Sequence, residues 1–495
     1  MMRLYIRLPR NRTGETEERQ EAEAMRSTKI ICTLGPAVDS EEAMKKLILG
    51  GMNGARFNFS HGTHESQLAT FERLEKARTE LGIPVAAILD TKGPEIRVKS
   101  FLDGKVTLEE GAEFTLTGED CLGDSRRVSV TYPRLAEELR QGSRILLDDG
   151  LIELAVERCE GTEAHCRVVC GGVLSDHKSI NIPNAHISLP AVTEQDERDL
   201  AFAAEHGFDW VAASFVRSAA DVDELRSVLH AHGGSGVKLM AKIENQEGVD
   251  HLDEILDAVD GVMVARGDLG VEIPAAQVPI VQKRMVSGAV RRGKVVVIAT
   301  QMLDSMIRNP RPTRAEVSDV ANAIFEGASC VMLSGETASG DHPFEALRTM
   351  TETIEAAERS LLPWDRFRSS HFFGNDDIDE AITHACCTTA MDLAAGAILT
   401  MTRSGHTARM IARFRPGCPI VALTPDVRVA RQLAISWGVC SCMAAESGST
   451  DELFEQSIQK AREMGIVTSG DTAVITAGVP LGKSSSTNLI HAVVV

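Results

Sequence analysis

From Lys29 onward one unit recurs along the chain: a short β-branched strand, a polar residue at its end, then an amphipathic helix. The strands are expected to begin near Lys29, Gly54, Val85, Trp210, Lys238, Gly261, Lys294 and Cys330. Runs such as Val295-Val296-Val297-Ile298 are apolar on both faces, as strands are in a parallel sheet covered by helices. Eight strand–helix units in series are the signature of a (β/α)8 TIM barrel, an α/β fold that collects its strand-end residues at one rim.

Only the step from Val85 to Trp210 is too long for one unit, and it has room for a small inserted domain. Short alternating segments there, Val106-Thr107-Leu108 and Phe114-Thr115-Leu116, are punctuated by Asp103-Gly104, Asp149-Gly150 and Gly171-Gly172. This predicts an all-β lid domain leaving the barrel after its third strand, at the rim where active sites lie. After about Pro363 the pattern changes to a separate α/β domain. Its helix is expected near Asp376–Ala394 and its strands at Ala397–Met401, Pro419–Leu423, Val439–Met443, Thr472–Thr476 and Leu489–Val494. The expected division is a tail over 1–26, barrel over 27–93 and 190–362, lid over 94–189 and C-terminal domain over 363–495. Arg3, Arg7, Arg10 and Arg12 precede an acidic run, Glu15 to Glu23, with no apolar core for a secretory signal. That segment reads as a disordered tail, or as the product of an upstream start codon with Met25 the true beginning.

Charge narrows the partners. Lys and Arg number 52 against 71 Asp and Glu, and the formal charge of −19 repels nucleic acid and anionic membranes. No apolar run approaches the ~18 residues of a membrane span. The 11 cysteines include no CxxC pair, only Cys166/Cys170 and Cys440/Cys442 at other spacings, so zinc-ribbon and thioredoxin-like sites are unsupported. Scattered thiols read as buried small apolar residues in a reducing, cytoplasmic setting.

The strand ends carry an unusual set of polar residues. They read Arg56-Phe57-Asn58-Phe59-Ser60, Asp90-Thr91-Lys92-Gly93, Ser214, Lys242-Ile243-Glu244-Asn245, Arg266-Gly267-Asp268, Thr300-Gln301 and Ser334-Gly335-Glu336. The strand period of two places Lys242 with Glu244 on one face, and Arg56 with Asn58 and Ser60. Glu244 and Asp268 on adjacent strands offer hard oxygen ligands with positions left for water and phosphate, which suits Mg2+ or Mn2+. The alternative is that Lys242–Glu244 and Arg266–Asp268 are buried structural ion pairs. With Arg56 and Lys242 in the same pocket, the set fits phosphoryl transfer, where catalysis is mostly positioning and charge neutralisation. No GxxxxGK[ST] loop, protein-kinase glycine loop or nucleophile elbow is present.

Seven segments together resemble the pyruvate kinase family from Ser27 to Val495. They are Lys29–Pro36, Arg56–Gly62, Asp90–Arg97, Val237–Val249, Ala265–Pro274, Ala299–Ile307 and Asn309–Gly340, in the family's order. The resemblance implies transfer of the phosphoryl group of phosphoenolpyruvate to ADP, giving ATP and pyruvate in the last step of glycolysis. It implies catalytic roles for Lys242, Arg56 and Thr300, with Gly267 and Asp268 also lining the phosphoenolpyruvate site. Glu244 and Asp268 are the implied Mg2+ (or Mn2+) ligands, and Asn58, Ser60, Asp90 and Thr91 the implied K+ site. Asn58, Ser60, His61 and Arg97 are the implied nucleotide contacts. Glu95 is found in potassium-dependent members, where potassium-independent ones carry Lys, so K+ activation is expected. A homotetramer is the family expectation. So is a C-terminal site for a phosphorylated effector, here at Thr402, Arg403, Ser404, Thr407 and Lys483.

Two positions depart from the family. Gln195 stands where a Lys near the nucleotide is usual, and Asn184 where Gly is frequent. Asn tolerates the left-handed backbone that such a turn requires. Elsewhere His64, His186, His384 and His491 lack ligand-spaced partners and read as structural or surface residues. Met302 and Met306 read as core, and Trp210, Trp364 and Trp437 are too separated for a base-stacking platform. Two rivals compete with the kinase. One is another barrel acting on phosphoenolpyruvate, a lyase or mutase. The other is a silent metabolite sensor retaining only the C-terminal site.

Overall fold

Eight short, mostly buried strands close the barrel: β1 (Lys29–Thr33), β2 (Met52–Asn58), β3 (Ala86–Asp90), then β12 (Trp210–Ala213), β13 (Lys238–Ile243), β14 (Gly261–Ala265), β15 (Val295–Ala299) and β16 (Cys330–Leu333). All are parallel, in the order β1-β16-β15-β14-β13-β12-β3-β2. The computed structural model describes residues 25–183, 185, 187–364, 367, 377–480 and 487–495. The expectations for the first 24 residues, Asn184, His186 and Lys483 lie outside the described residues.

The insertion forms two sheets. One pairs β10 (Gly172–Ser175) with β4 (Lys105–Leu108). The other runs in the order β11-β7-β8-β9-β5-β6, built from β5 (Glu113–Thr117), β6 (Arg127–Ser129), β7 (Arg144–Leu147), β8 (Ile152–Glu160), β9 (Glu163–Cys170) and β11 (Ile180–Asn181). The insertion is not purely β: a one-turn helix, Leu135–Glu138, packs its Leu135 and Ala136 inward. Asp149 and Gly150 both adopt positive φ, as the Asp-Gly turn predicts.

The C-terminal sheet is β19-β18-β17-β20-β21, from β17 (Ala397–Met401), β18 (Ile420–Thr424), β19 (Val439–Met443), β20 (Thr472–Ala477) and β21 (Leu489–Val494). It is parallel except for β21, which closes its edge antiparallel to β20. Met302 and Met306 are fully buried, as expected. His384 lies against Phe367 and Phe414, and His491 stacks on Phe454. Cys170 departs from the expectation of buried thiols: it is exposed at the end of β9. Among the described residues, no helix is long and apolar enough to cross a membrane.

The C-terminal domain is seated in the barrel rather than merely tethered to it. Ile435 has no exposed surface and belongs to the barrel's interior layer, with Ile31, Ile88, Trp210, Met240 and Met332. Its burial is worth about 2–3 kcal/mol. Beside it Gln432 donates to the carbonyls of Asp209 and Gly236, and Trp210 Nε1 donates to the carbonyl of Gln432.

At the same foot, the Asp209 carboxylate is fully buried, 3.1 Å from Arg78 Nη1. Burial pushes this carboxyl up to about 6, against the pull of Arg78 and the Ala87 amide. A carboxyl raised in the fold is costly when ionised, so the cost is present above its folded value and disappears below its ordinary one. The stability of the wild type relative to Asp209→Asn is therefore expected to fall by roughly 3 kcal/mol between about pH 4 and pH 6. Urea unfolding of both proteins across that window measures it, and parallel profiles would refute the assignment.

Candidate active site

The strand ends converge on one buried ammonium. Lys242, on β13, places Nζ 3.0 Å from Asp90 Oδ1, 2.9 Å from Glu244 Oε1 and 2.7 Å from Ser214 Oγ. Asp90, the last residue of β3, also receives Arg56 Nε at 2.7 Å from β2, so one carboxylate bridges two cations. Arg56 Nη1 reaches Thr33 Oγ1 of β1 at 3.2 Å. The carboxylates of Asp90 and Glu244 are each 1% exposed, whereas Lys242 and Arg56 keep 11% and 12%, so the cations are the members that face the rim.

Electrostatics follow from this packing. Burial alone would raise the Asp90 carboxyl, but Arg56 and Lys242 together hold it below its ordinary value. Burial would lower Lys242, yet Asp90 and Glu244 outweigh it and keep the ammonium firmly protonated. Burial pushes the Glu244 carboxyl up to about 7, with Lys242 pulling it down and Asp268 pushing it up. Glu244 Oε2 also accepts from the Phe215 amide at 2.7 Å, and Phe215 holds a positive φ of 56° to present it.

The pairing of Arg266 with Asp268 does not occur. β14 ends at Ala265, and Arg266 opens a helix, Arg266–Glu272. Residues two apart on a helix do not face each other. Arg266 instead binds Asp319 at 2.7 Å and the Thr300 carbonyl at 2.7 Å. Thr300 and Gln301 are both left-handed, at φ 68° and 53°, a strained conformation for a β-branched residue. Arg266 from one side and the Gly267 amide, 2.8 Å from Thr300 Oγ1, from the other hold that conformation. Asp319 thus supports the site without having been read from the sequence, and Arg266, read there as a strand end, takes a partner that its spacing did not show. Ser214 was visible as a strand end, but its link to Lys242 was not.

Among the described residues, no three His, Cys, Asp or Glu side chains gather into a cation cage. Two carboxylates nonetheless suit Mg2+, which keeps several waters and takes one or two protein carboxylates with substrate oxygens. Asp268, in the first turn of the helix that follows β14, pushes the Glu244 carboxyl upward, as a neighbouring negative charge does.

The implied K+ residues are only partly assembled. Asn58 and Asp90 sit opposite each other in the β2–β3 register. Thr91 Oγ1 instead accepts from the Ser214 amide at 3.2 Å. Ser60 lies beyond the end of β2 in an exposed turn, where the period of two no longer applies, and its amide donates to Asn58 Oδ1 at 3.2 Å. His61 is exposed on the same loop. Arg97 is turned onto Glu95 through two contacts of 2.7 Å and onto the His177 carbonyl at 2.6 Å.

Gln195 Nε2 donates to Asp199 Oδ1 at 2.7 Å, and His64 Nε2 meets the same oxygen at 2.6 Å. The helix that carries Gln195, Glu194–His206, begins with a capping box between Thr193 and Asp196. Asp196 also accepts from the Gly93 amide at 2.9 Å. Gly93 is left-handed at φ 72°, and a Cβ there would lie 2.7 Å from Ser214 Cβ, so the loop leaving β3 requires glycine.

In the C-terminal domain, Thr402 Oγ1 accepts from the amide of Gly405, which is left-handed at φ 78°. Ser404 Oγ accepts from the His406 amide, and Thr407 Oγ1 lies 2.9 Å from Thr487 Oγ1 of the second loop. Arg403 is exposed and ion-paired with Glu446 at 3.0 Å. Sequence reading missed Arg409, whose Nη2 donates to the Ser404 carbonyl at 3.1 Å beneath this turn.

Comparison with known proteins agrees with this geometry. Residues 25–347 match the pyruvate kinase barrel domain, and residues 380–493 match the pyruvate kinase alpha/beta domain. A pyruvate kinase of Clostridium acetobutylicum is 47% identical over 474 residues, covering 95% of this chain and 100% of the relative. One from Clostridium perfringens is 46% identical over 470 residues, covering 94% and 99%. One from Geobacillus stearothermophilus is 47% identical over 468 residues, covering 94% of this chain and 80% of the relative. A barrel whose rim gathers cations and carboxylates around one lysine, matched by both family domains over nearly its whole length, belongs to the pyruvate kinase family.

Proposed function

We propose that this chain transfers the phosphoryl group of phosphoenolpyruvate to ADP, and that Lys242 is the cation at the group in transit. The supporting observation is the Lys242 ammonium, kept charged by Asp90 and Glu244 yet open toward the rim beside Arg56. Both substrates are anions, so their repulsion must be cancelled before an in-line approach. Arg56 and Lys242 supply that cancellation from opposite sides of Asp90, fixed before substrate arrives, with no reorganisation needed at the moment of transfer. Glu244 and Asp268 would hold Mg2+, which when bound neutralises charge on the phosphoryl oxygens. Gly267 and Thr300 line the phosphoenolpyruvate site, with Thr300 near the enolate.

Around this centre, Asn58, Ser60, Asp90 and Thr91 form the K+ site, and Asn58, Ser60, His61 and Arg97 contact the nucleotide. Residues 94–189 act as the lid, and 363–495 bind a phosphorylated effector at Thr402, Arg403, Ser404, Thr407 and Lys483. The active protein is a cytoplasmic homotetramer. In a coupled assay with Mg2+, the purified chain is expected to form ATP from phosphoenolpyruvate and ADP. Absence of turnover with candidate sugar phosphates added would overturn the kinase reading in favour of a sensor.

The same assay tests the monovalent site. Replacing K+ by a large organic cation at equal ionic strength is expected to cut turnover at least tenfold. Glu95→Lys, which brings a fixed ammonium in place of the carboxylate that now holds Arg97, is expected to remove most of that dependence. Equal rates with and without K+ in the wild type would eliminate the site.

A further inference from the structure

A chain of charges runs beneath the barrel, away from the substrates. Arg431 belongs to the C-terminal domain, on the helix Val427–Leu433, and its Nη2 lies 2.7 Å from Glu75 Oε1. Glu75 belongs to the barrel helix His64–Leu81, and the same Oε1 accepts from Arg78 Nε at 2.9 Å. Arg78 continues inward: its Nη1 donates to the Val85 carbonyl at 2.5 Å and to Asp209 Oδ2 at 3.1 Å. That same Asp209 oxygen accepts from the Ala87 amide, in β3, at 2.8 Å. The far end of β3 is Asp90, the carboxylate that bridges Arg56 and Lys242.

Three features make this more than a static tie. Glu75 is shared by guanidinium groups from two domains, so Arg431 decides how much of Glu75 is left for Arg78. Asp209 carries its load on one oxygen: Oδ1 is buried with no hydrogen-bond partner, although a carboxylate can take an arginine on both oxygens. An empty acceptor beside a shared guanidinium gives Arg78 two arrangements, one divided between Glu75 and Asp209 and one drawn fully onto Asp209. Finally, buried ion pairs are seldom kept for stability alone, since apolar packing of equal volume serves as well or better.

We propose that Arg78 and Asp209 are positioning residues of the active centre, through which Arg431 sets the start of β3 and so the stance of Asp90 at its other end. The inference rests on the proposed role of Asp90 beside Lys242. It makes the seam between barrel and C-terminal domain a determinant of phosphoenolpyruvate affinity. No ligand need cross the intervening distance, because β3 spans it as one hydrogen-bonded strand.

The test uses Arg431→Met and Arg431→Lys in the full-length chain, because Arg431 lies at the edge of the network and its loss spares the buried pair. Arg431→Met is expected to shift half-saturating phosphoenolpyruvate about 3- to 10-fold, the size of coupling changes caused by residues that touch neither ligand. The KM for ADP is expected to stay unchanged, and Arg431→Lys to restore the wild-type value. Hydrogen exchange of the β3 peptide, read by mass spectrometry, is expected to accelerate at Ala87 in Arg431→Met and to recover in Arg431→Lys. In an Asp209→Asn background, Arg431→Met is expected to add nothing. A lower melting temperature with unchanged phosphoenolpyruvate saturation and unchanged Ala87 exchange would reduce the network to a structural tie and overturn the proposal. So would an equal shift in the Asp209→Asn background. Exchange needs no turnover, so a wild type that forms no ATP would sink the kinase reading while leaving the Ala87 measurement to decide whether Arg431 sets the start of β3.

Discussion

Lys242→Met is expected to lower turnover by about 10^3 to 10^5, the range seen when a cation is withdrawn from a transferring phosphoryl group. The methionine matches the length of the lysine stem and removes only the charge and its three hydrogen bonds. Asp90 would keep Arg56 at 2.7 Å, and Glu244 would keep the Phe215 amide at 2.7 Å, so neither carboxylate is left bare. Removing one partner of a buried pair still costs about 3–5 kcal/mol, and the chain is large enough to absorb it. Near-ultraviolet circular dichroism and a urea midpoint would show that the fold survives. The decisive comparison is turnover at saturating phosphoenolpyruvate, since a residue that acts on the group in transit lowers kcat and not only affinity. A rate within tenfold of wild type would remove Lys242 from the reaction.

Why Lys242 could be picked from the sequence, and Arg266 could not be placed, has one explanation. Strands in a parallel barrel are apolar on both faces, so their polar ends stand out and the period of two carries through them. That logic places Lys242 with Glu244, and the 2.9 Å contact confirms the shared face. It holds for Glu244, one residue past the end of β13, and fails where the chain turns away or becomes helical. Ser60 lies past Asn58 in a turn, and Arg266 lies past Ala265 at the start of a helix, where the period becomes 3.6. Arg266 therefore finds Asp319, a residue far along the chain that no local spacing connects to it. The contacts beneath the barrel were hidden for a related reason. Arg78, Asp209 and Arg431 are polar residues in segments with ordinary patterns; closure of the barrel brings Arg78 to Asp209, and the seating of the C-terminal domain adds Arg431 through Glu75. The left-handed backbone at Thr300 and Phe215 was equally invisible, because neither residue type favours it and tertiary contacts impose it.

Glu244→Gln tests the proposed metal site with nearly the shape of the native side chain. The amide oxygen can still accept from the Phe215 amide, but the charge that pairs with Lys242 and faces Asp268 is gone. Mg2+ prefers anionic oxygens, and a site with two carboxylates that loses one keeps half its protein charge. Turnover is expected to fall at least 10^3-fold at the Mg2+ concentration that saturates the wild type. Raising Mg2+ a hundredfold is expected to recover little of it. A second readout separates the metal from the fold. Mn2+ binding followed by electron paramagnetic resonance should show a bound fraction in the wild type and a much smaller one in the variant, with urea midpoints alike. The two carboxylates need not fail together. Asp268 has no ion pair among the described residues, so Asp268→Asn removes the charge of a proposed ligand without breaking a pair, and it also relieves the repulsion on Glu244. The defect of Glu244→Gln also includes a Lys242 left with Asp90 and Ser214 as its remaining partners. If Mn2+ bound both variants as tightly as wild type, Lys242–Glu244 would be the buried structural pair of the alternative reading, and the cation would have to be sought elsewhere on the rim.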